Sequence, residues 1–128
     1  MSNQPSHSEI ELLRTAYSAF NGRHIDAALA TMTSDVSWPR AFKGGFVEGH
    51  RAVGAYWTEQ WSEINPHVEP EAFHVEEAGH ILVKVHQVVR DLAGAVLADE
   101  YVGHRFTLAQ GLIQKMEVSP LTSFVPQT

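Results

Sequence analysis

The stretch VGHRFTLAQGLIQKMEV, Val102–Val118, decides how this chain is read. Taken two residues at a time, it places Val102, His104, Phe106 and Leu108 on one side of an extended segment and Tyr101, Gly103, Arg105 and Thr107 on the other. A period of two is the mark of a strand with one buried face. The first set is the more apolar, so it is turned inward and carries a titratable imidazole, His104, among core residues. Gln110-Gly111 then breaks the run, and LIQKMEV resumes it as a second strand.

The same period extends upstream. FHVEEA, HILVKVHQVVRDL and VLADEYVGHRFTL alternate in the same way, separated by turns at Gly79 and Gly94. Turns this short imply antiparallel pairing, because parallel neighbours need long crossovers. On HILVKVHQVVRDL the inward set is Ile81, Val83, Val85, Gln87 and Val89, and the outward set is Leu82, Lys84, His86, Val88 and Arg90. A two-residue loop at Ala93-Gly94 matches the apolar faces, pairing Val83 with His104, Val85 with Val102 and Gln87 with Glu100. Turn chemistry favours a three-residue loop with Gly94 at positive φ, which shifts the register by one. A bulge further along the strand reconciles the two. Pro70 cannot donate to a ladder and marks an edge or a bulge.

The first half has helical spacing. Ile10, Leu13, Tyr17 and Phe20 share a face, Ser8 with Glu11 forms the pattern of a capping box, and Asn21-Gly22 stops the helix. A second short helix carries Ile25, Leu29 and Met32, ended by Thr33-Ser34-Asp35. A third, over 49–64, carries Val53, Trp57, Trp61 and Ile64, with Pro66 just past its end. VSW and GFVEG leave room for short strands between the second and third helices. Helices followed by an antiparallel sheet give an α+β order. Strands of about a dozen residues are longer than usual and should twist and curl. The expectation is a cone-shaped curved antiparallel sheet with three helices packed on its concave face.

Composition narrows the function. The chain has 128 residues, the size of one domain (1–128, with an ordered core of about 8–120). Nine basic against fifteen acidic residues, with no basic run, disfavour nucleic acid as a partner. No apolar run approaches the roughly 20 residues that cross a bilayer, so no membrane association is expected. The polar N-terminus lacks the pattern of a secretory signal. The absence of cysteine excludes disulfides and thiolate sites and makes a cytoplasmic location the default expectation. The eight histidines show neither an i, i+4 helical pair nor an HExxH motif, so no metal is expected. With no glycine-rich phosphate loop and no GxSxG elbow, nucleotide binding and serine hydrolysis are disfavoured and no cofactor is expected.

The pattern HxFxLxxGLI, His104 through Ile113, resembles the closing strands of the SnoaL-like group of polyketide cyclases within the nuclear transport factor 2-like superfamily. FNGRHIDAALATM, TSDVSW and FVEGHRAVGAYWTEQW agree with it in order and spacing, so the resemblance spans nearly the whole chain. It implies an α+β cone with an internal pocket, a hydrophobic small-molecule ligand and a homodimer through the outer sheet face. Fold alone does not settle activity, because relatives include cyclases, isomerases, dehydratases, epoxide hydrolases and binding modules. Two departures stand out. The acid that isomerase-like members carry beside a proline is replaced by Trp38 before Pro39. The aspartic acid that cyclase-like members place near Val102-Gly103-His104 is absent, which leaves His104 as the titratable group there.

His104 is therefore the candidate catalytic residue, since an imidazole moves protons in either direction near neutral pH. A core histidine satisfied by a neighbouring hydroxyl is the plainer alternative. The candidate pocket wall is Tyr17, Trp38, Phe42, Trp57, Trp61, Gln87 and Phe106, of which the aromatic residues suit a core as well. Asp35 reads as a turn or capping residue. Glu100 shares the inward face with His104 but lies about 13 Å along the strand, too far to bond it. Two functions fit: proton-transfer chemistry, isomerisation or cyclisation, on a hydrophobic carbonyl compound, or ligand binding and dimerisation without chemistry.

Overall fold

The computed structural model describes residues 4–40, 43–119 and 121. Its elements are α1 (His7–Asn21), α2 (Ile25–Leu29), β1 (Met32–Pro39), β2 (Phe46–Glu48), α3 (His50–Trp61), β3 (Ile64–Val75), β4 (Ile81–Asp91), β5 (Val96–Ala109) and β6 (Leu112–Ser119). The six strands form one sheet in the order β2-β1-β6-β5-β4-β3. Helix α3 touches β1 and β2 at one end of this order and β3 at the other. In a flat sheet those edges would lie about 24 Å apart, from five spacings of about 4.8 Å. The sheet is therefore curled and unclosed, with α1 and α3 on its concave side and α2 packed between them against β1.

The register along β4 and β5 pairs Val83 with His104, Val85 with Val102 and Gln87 with Glu100. The register expected from the apolar faces holds, but the loop is the three-residue one and not the two-residue Ala93-Gly94 loop. Asp91 N–H bonds Ala95 O across a three-residue loop, Gly94 takes φ 98°, and a bulge between Val89 and Arg90 restores the face pattern. Pro70 sits on an edge strand and beside a bulge, with the β3–β4 register shifting between Pro70 and Ala72.

Four local readings are corrected. The capping box is Ser6 with Glu9, not Ser8 with Glu11: Ser6 Oγ accepts from Glu9 N–H at 3.2 Å and Ser6 N–H donates to Glu9 Oε1 at 2.9 Å. The SxxE spacing occurs twice, and the helix starts at the earlier copy. Met32 and Thr33-Ser34-Asp35 belong to β1 rather than to the end of α2, and Asp35 is an exposed strand residue accepting from Thr33 Oγ1 at 2.7 Å. Ile64 and Pro66 open β3 instead of closing α3. Finally, the sheet is not wholly antiparallel, since β1 runs parallel to β6, tied at its start by Ile113 N–H to Thr31 O at 2.8 Å.

The early start of β3 has a specific cause. Asn21, just beyond the apolar stripe of α1, acts as a one-residue strand: its Nδ2 donates to Val68 O at 2.8 Å and its Oδ1 accepts from Val68 N–H at 2.9 Å. Arg23 donates to Pro66 O at 2.8 Å. Backbone groups of Val68 thus point away from β4, and by the period of two so do those of Pro66 and Pro70. The prolines occupy the positions of β3 where no ladder donor is required.

Burial follows the inward face: Ile81, Val83, Val85, Val89 and Phe106 join Leu13, Val36, Val53 and Trp57 out of water. The outer face is less open than its mixed composition suggests, because Leu82 is 0% exposed. Its cross-strand partner is Arg105, and two residues along, Leu121 lies over Gly103 and covers part of this face.

Candidate functional site

Between the helices and the concave sheet lies a cavity of about 420 Å³, within the size range of small-molecule sites. Tyr17 and Phe20 of α1, Trp57 of α3, Trp38 of β1 and Val102, His104 and Phe106 of β5 form its largely apolar wall. The tryptophan ring of Trp57 is met edge-on by Trp38 at 5.4 Å and by Phe20 at 5.5 Å, and Phe106 meets Tyr17 edge-on at 5.9 Å. Rings locked in such contacts hold the cavity open instead of collapsing into it.

His104 is 6% exposed and points into this space from the middle of β5. Its Nδ1 lies 2.7 Å from the hydroxyl oxygen of Tyr17, and the two ring planes are within 6° of each other. Nε2 has no hydrogen-bond partner among the described residues, and it is not among their fully buried unpaired atoms. It is therefore the nitrogen a ligand can reach. Burial lowers the imidazole pKa to about 4, because a charged ring surrounded by apolar side chains loses its hydration. Burial likewise raises the Tyr17 hydroxyl well above its usual value. Both groups are neutral across the physiological range.

The cavity also has polar lining. Gln87 and Glu100, cross-strand partners on β4 and β5, line the cavity together, with Glu100 exposed. Arg40, just after β1, also lines it, whereas Glu117 of β6 is paired with Arg105 and faces outward with it. The Arg40 Nε donates to Gly44 O at 2.9 Å, which fixes the guanidinium beside the cavity. The lining thus joins apolar rings and a neutral imidazole to an exposed carboxylate and a guanidinium.

Of the pocket residues expected from the sequence, Tyr17, Trp38, Trp57, Gln87 and Phe106 lie on the cavity wall with His104. Trp61 does not. It stacks behind Trp57 at 6.0 Å and is covered by the Arg23 guanidinium at 4.8 Å. Helical spacing placed both tryptophans on one face, but one turn carries Trp61 past the cavity toward the end of α3. Phe42 lies outside the described residues. The indole N–H groups of Trp57 and Trp61 are buried without an acceptor among the described residues, a cost of about 1–3 kcal/mol each. Sequence reasoning missed Tyr56 and Gln60, which line the cavity from α3 and bond each other, Gln60 Nε2 to Tyr56 Oη, at 3.0 Å. Their i, i+4 spacing was the available signal.

A family model described as a SnoaL-like domain matches residues 13–116. No curated protein sequence matches the chain significantly. Among solved structures, TerC co-crystallized with polyporic acid superposes with a TM-score of 0.76 at 24% identity, covering 91% of this chain and 94% of that one. An NTF2-like protein from Burkholderia pseudomallei gives a TM-score of 0.76 at 23% identity, covering 93% and 95%. RV0760c from Mycobacterium tuberculosis, in complex with estradiol-17beta-hemisuccinate, gives 0.74 at 16% identity, covering 88% and 93%. At these identities the likeness is one of fold, and it agrees with the curled sheet and its covering helices.

Proposed function

The chain belongs to the SnoaL-like domain family, and from that premise we propose that it binds a hydrophobic carbonyl compound in the cavity and moves a proton on it, as an isomerase or cyclase without a cofactor. The observation that carries this reading is His104: a neutral imidazole in the wall of an apolar cavity, one nitrogen held by Tyr17 and the other open. A base that is already neutral at pH 7 accepts a proton without first losing one. Tyr17, Trp38, Trp57, Phe106 and Gln87 would hold the ligand, and ligands seen in TerC and RV0760c support a small molecule as occupant. A direct test uses octalone, a bicyclic β,γ-unsaturated ketone whose conjugation is followed by ultraviolet absorbance. The wild type should accelerate conjugation and His104→Ala should not. Equal rates in the two overturn the assignment.

The homodimer belongs to the same proposal. Leu97 and Tyr101 are exposed on the outer sheet face beside Lys84, His86 and Asp99, a mixture that suits a two-fold contact. Sedimentation at twice the chain mass, reduced to one by Tyr101→Asp, would support it; a monomer at all concentrations would overturn it.

A further inference from the structure

The reading above needs only His104, yet the closest polar contact in the cavity is its bond to Tyr17. We propose that Tyr17 is a second catalytic group, and that the two rings act as one neutral relay for proton shifts in enolisable carbonyl compounds. This rests on the proposed proton-transfer function and adds to it a partner residue and a substrate class.

The bond allows two arrangements. Either the phenol donates to Nδ1 and Nε2 carries the ring proton, or Nδ1–H donates to the phenol oxygen, Nε2 is bare, and the phenol proton is free for a ligand. In both, one end of the pair donates while the other accepts. Both ends reach the cavity, because Tyr17 and His104 both line it and Nε2 has no protein partner among the described residues. In the second arrangement, the proton on the carbon next to a ketone passes to Nε2. The Nδ1 proton passes to the Tyr17 oxygen, and the Tyr17 proton passes to the carbonyl oxygen. The electron pair of the broken C–H bond becomes the enol double bond, and the carbonyl π pair becomes the new O–H bond. No charge is created.

In a β,γ-unsaturated ketone the relay then runs backward at the far carbon. Nε2 gives its proton to that carbon, the enol proton returns to the Tyr17 oxygen, and the Tyr17 proton returns to Nδ1. The double bond has moved into conjugation and the pair has been restored.

The surroundings favour this route over a charged one. An imidazolium or a phenolate here would be desolvated. Among the described residues, the other ionisable side chains around the cavity are Tyr56 on α3, Arg40 after β1 and Glu100 on β5; Glu117 on β6 lines it but turns its side chain outward beside Arg105. None of them bonds the imidazole, so no counter-charge is fixed against it. Phe106 on β5 supplies only apolar surface.

The test uses the full chain, octalone, and nitrogen-15 spectra of the His104 ring. Tyr17→Phe should lower kcat about 100-fold, the usual scale for a lost acid–base group, with KM little changed. Wild-type kcat should be flat above the imidazole's pKa of about 4 through neutral pH. The ring should show one protonated nitrogen over that range, and Tyr17→Phe should redistribute that proton between the two nitrogens. Turnover by Tyr17→Phe at the wild-type rate, an imidazolium at neutral pH, or unchanged ring-nitrogen spectra in Tyr17→Phe would each overturn the relay. If Tyr17→Phe matches the wild type and His104→Ala is dead, the proton-transfer reading stands and the relay falls. If the wild type leaves octalone unchanged, the catalytic reading falls and takes the relay with it, even where the spectra show a shared proton.

Discussion

Two histidine–tyrosine pairs sit on opposite faces of the same sheet. On the concave face, His104 meets Tyr17 at 2.7 Å inside the cavity. On the convex face, His86 stacks on Tyr101 with ring centroids 4.8 Å apart, while its Nε2 meets Asp99 Oδ1 at 2.6 Å. The residue types are the same, and water and partner differ. The side chain of His86 is 32% exposed and lies beside a carboxylate, so it has both water and a polar partner. His104 has neither water nor a carboxylate, and its charged form is suppressed. Chemistry at a histidine is thus set by the face of the strand it occupies, a choice the period of two makes at the level of sequence.

The largest effect that would break this comparison is kinetic. His104→Ala should lower octalone turnover by about 100- to 10,000-fold, the range of a lost general acid–base group, while His86→Ala leaves it unchanged. Initial-rate measurements on both variants decide this, and similar losses in the two would erase the distinction between the faces.

Acid stability comes next. The folded-state pKa of His104 is depressed to about 4 from the ordinary histidine value of 6.5, so below pH 6.5 the unfolded chain binds a proton that the folded chain refuses. Stability therefore falls as pH drops through the window from 6.5 to about 4, and it levels off below. The full span corresponds to about 3 kcal/mol at about 1.4 kcal/mol per pKa unit. Urea unfolding of the wild type and His104→Phe at several pH values should show this slope in the first and lose it in the second. The Glu76 carboxyl, held low by its bond to Arg105, adds acid sensitivity that sets in below its ordinary value of 4.5.

A smaller effect concerns the back of the same strand. A Cβ at Gly103 would lie 2.6 Å from Ser119 O and 3.2 Å from Leu121 Cδ2. Gly103→Ala should cost about 1–3 kcal/mol by overpacking, read as a lowered Tm. The smallest is the convex pair itself: Asp99→Ala should change stability by less than about 1 kcal/mol, as for most exposed ion pairs. A loss of several kcal/mol in chemical denaturation would show that this face is covered in solution.

Legibility in the sequence divides along the same line between local and distant causes. The orientation of His104, the β4–β5 register and the edge position of Pro70 were readable because alternation, turn glycines and proline each act on neighbours a few residues away. The apolar stripe of α1 was readable for the same reason. The strand start at Ile64 was not, because it depends on Asn21 bonding Val68 across the fold. Nor was the parallel β1–β6 pairing, which joins segments from opposite ends of the chain. At the site, periodicity placed Tyr17 and Trp57 on inner faces, but it could not separate Trp57 from Trp61. That separation depends on where along α3 the cavity ends. The Tyr17–His104 bond joins residues 87 positions apart, and only the fold brings them together.

The most direct test of the central claim is a crystal structure of the full chain with octalone bound. The account expects the ketone between Trp57 and Phe106, with His104 Nε2 and the Tyr17 hydroxyl oxygen in hydrogen-bonding reach of its carbonyl group or the carbon beside it. Octalone bound outside the cavity, or seated in it with its oxygen turned away from both rings, would contradict the account.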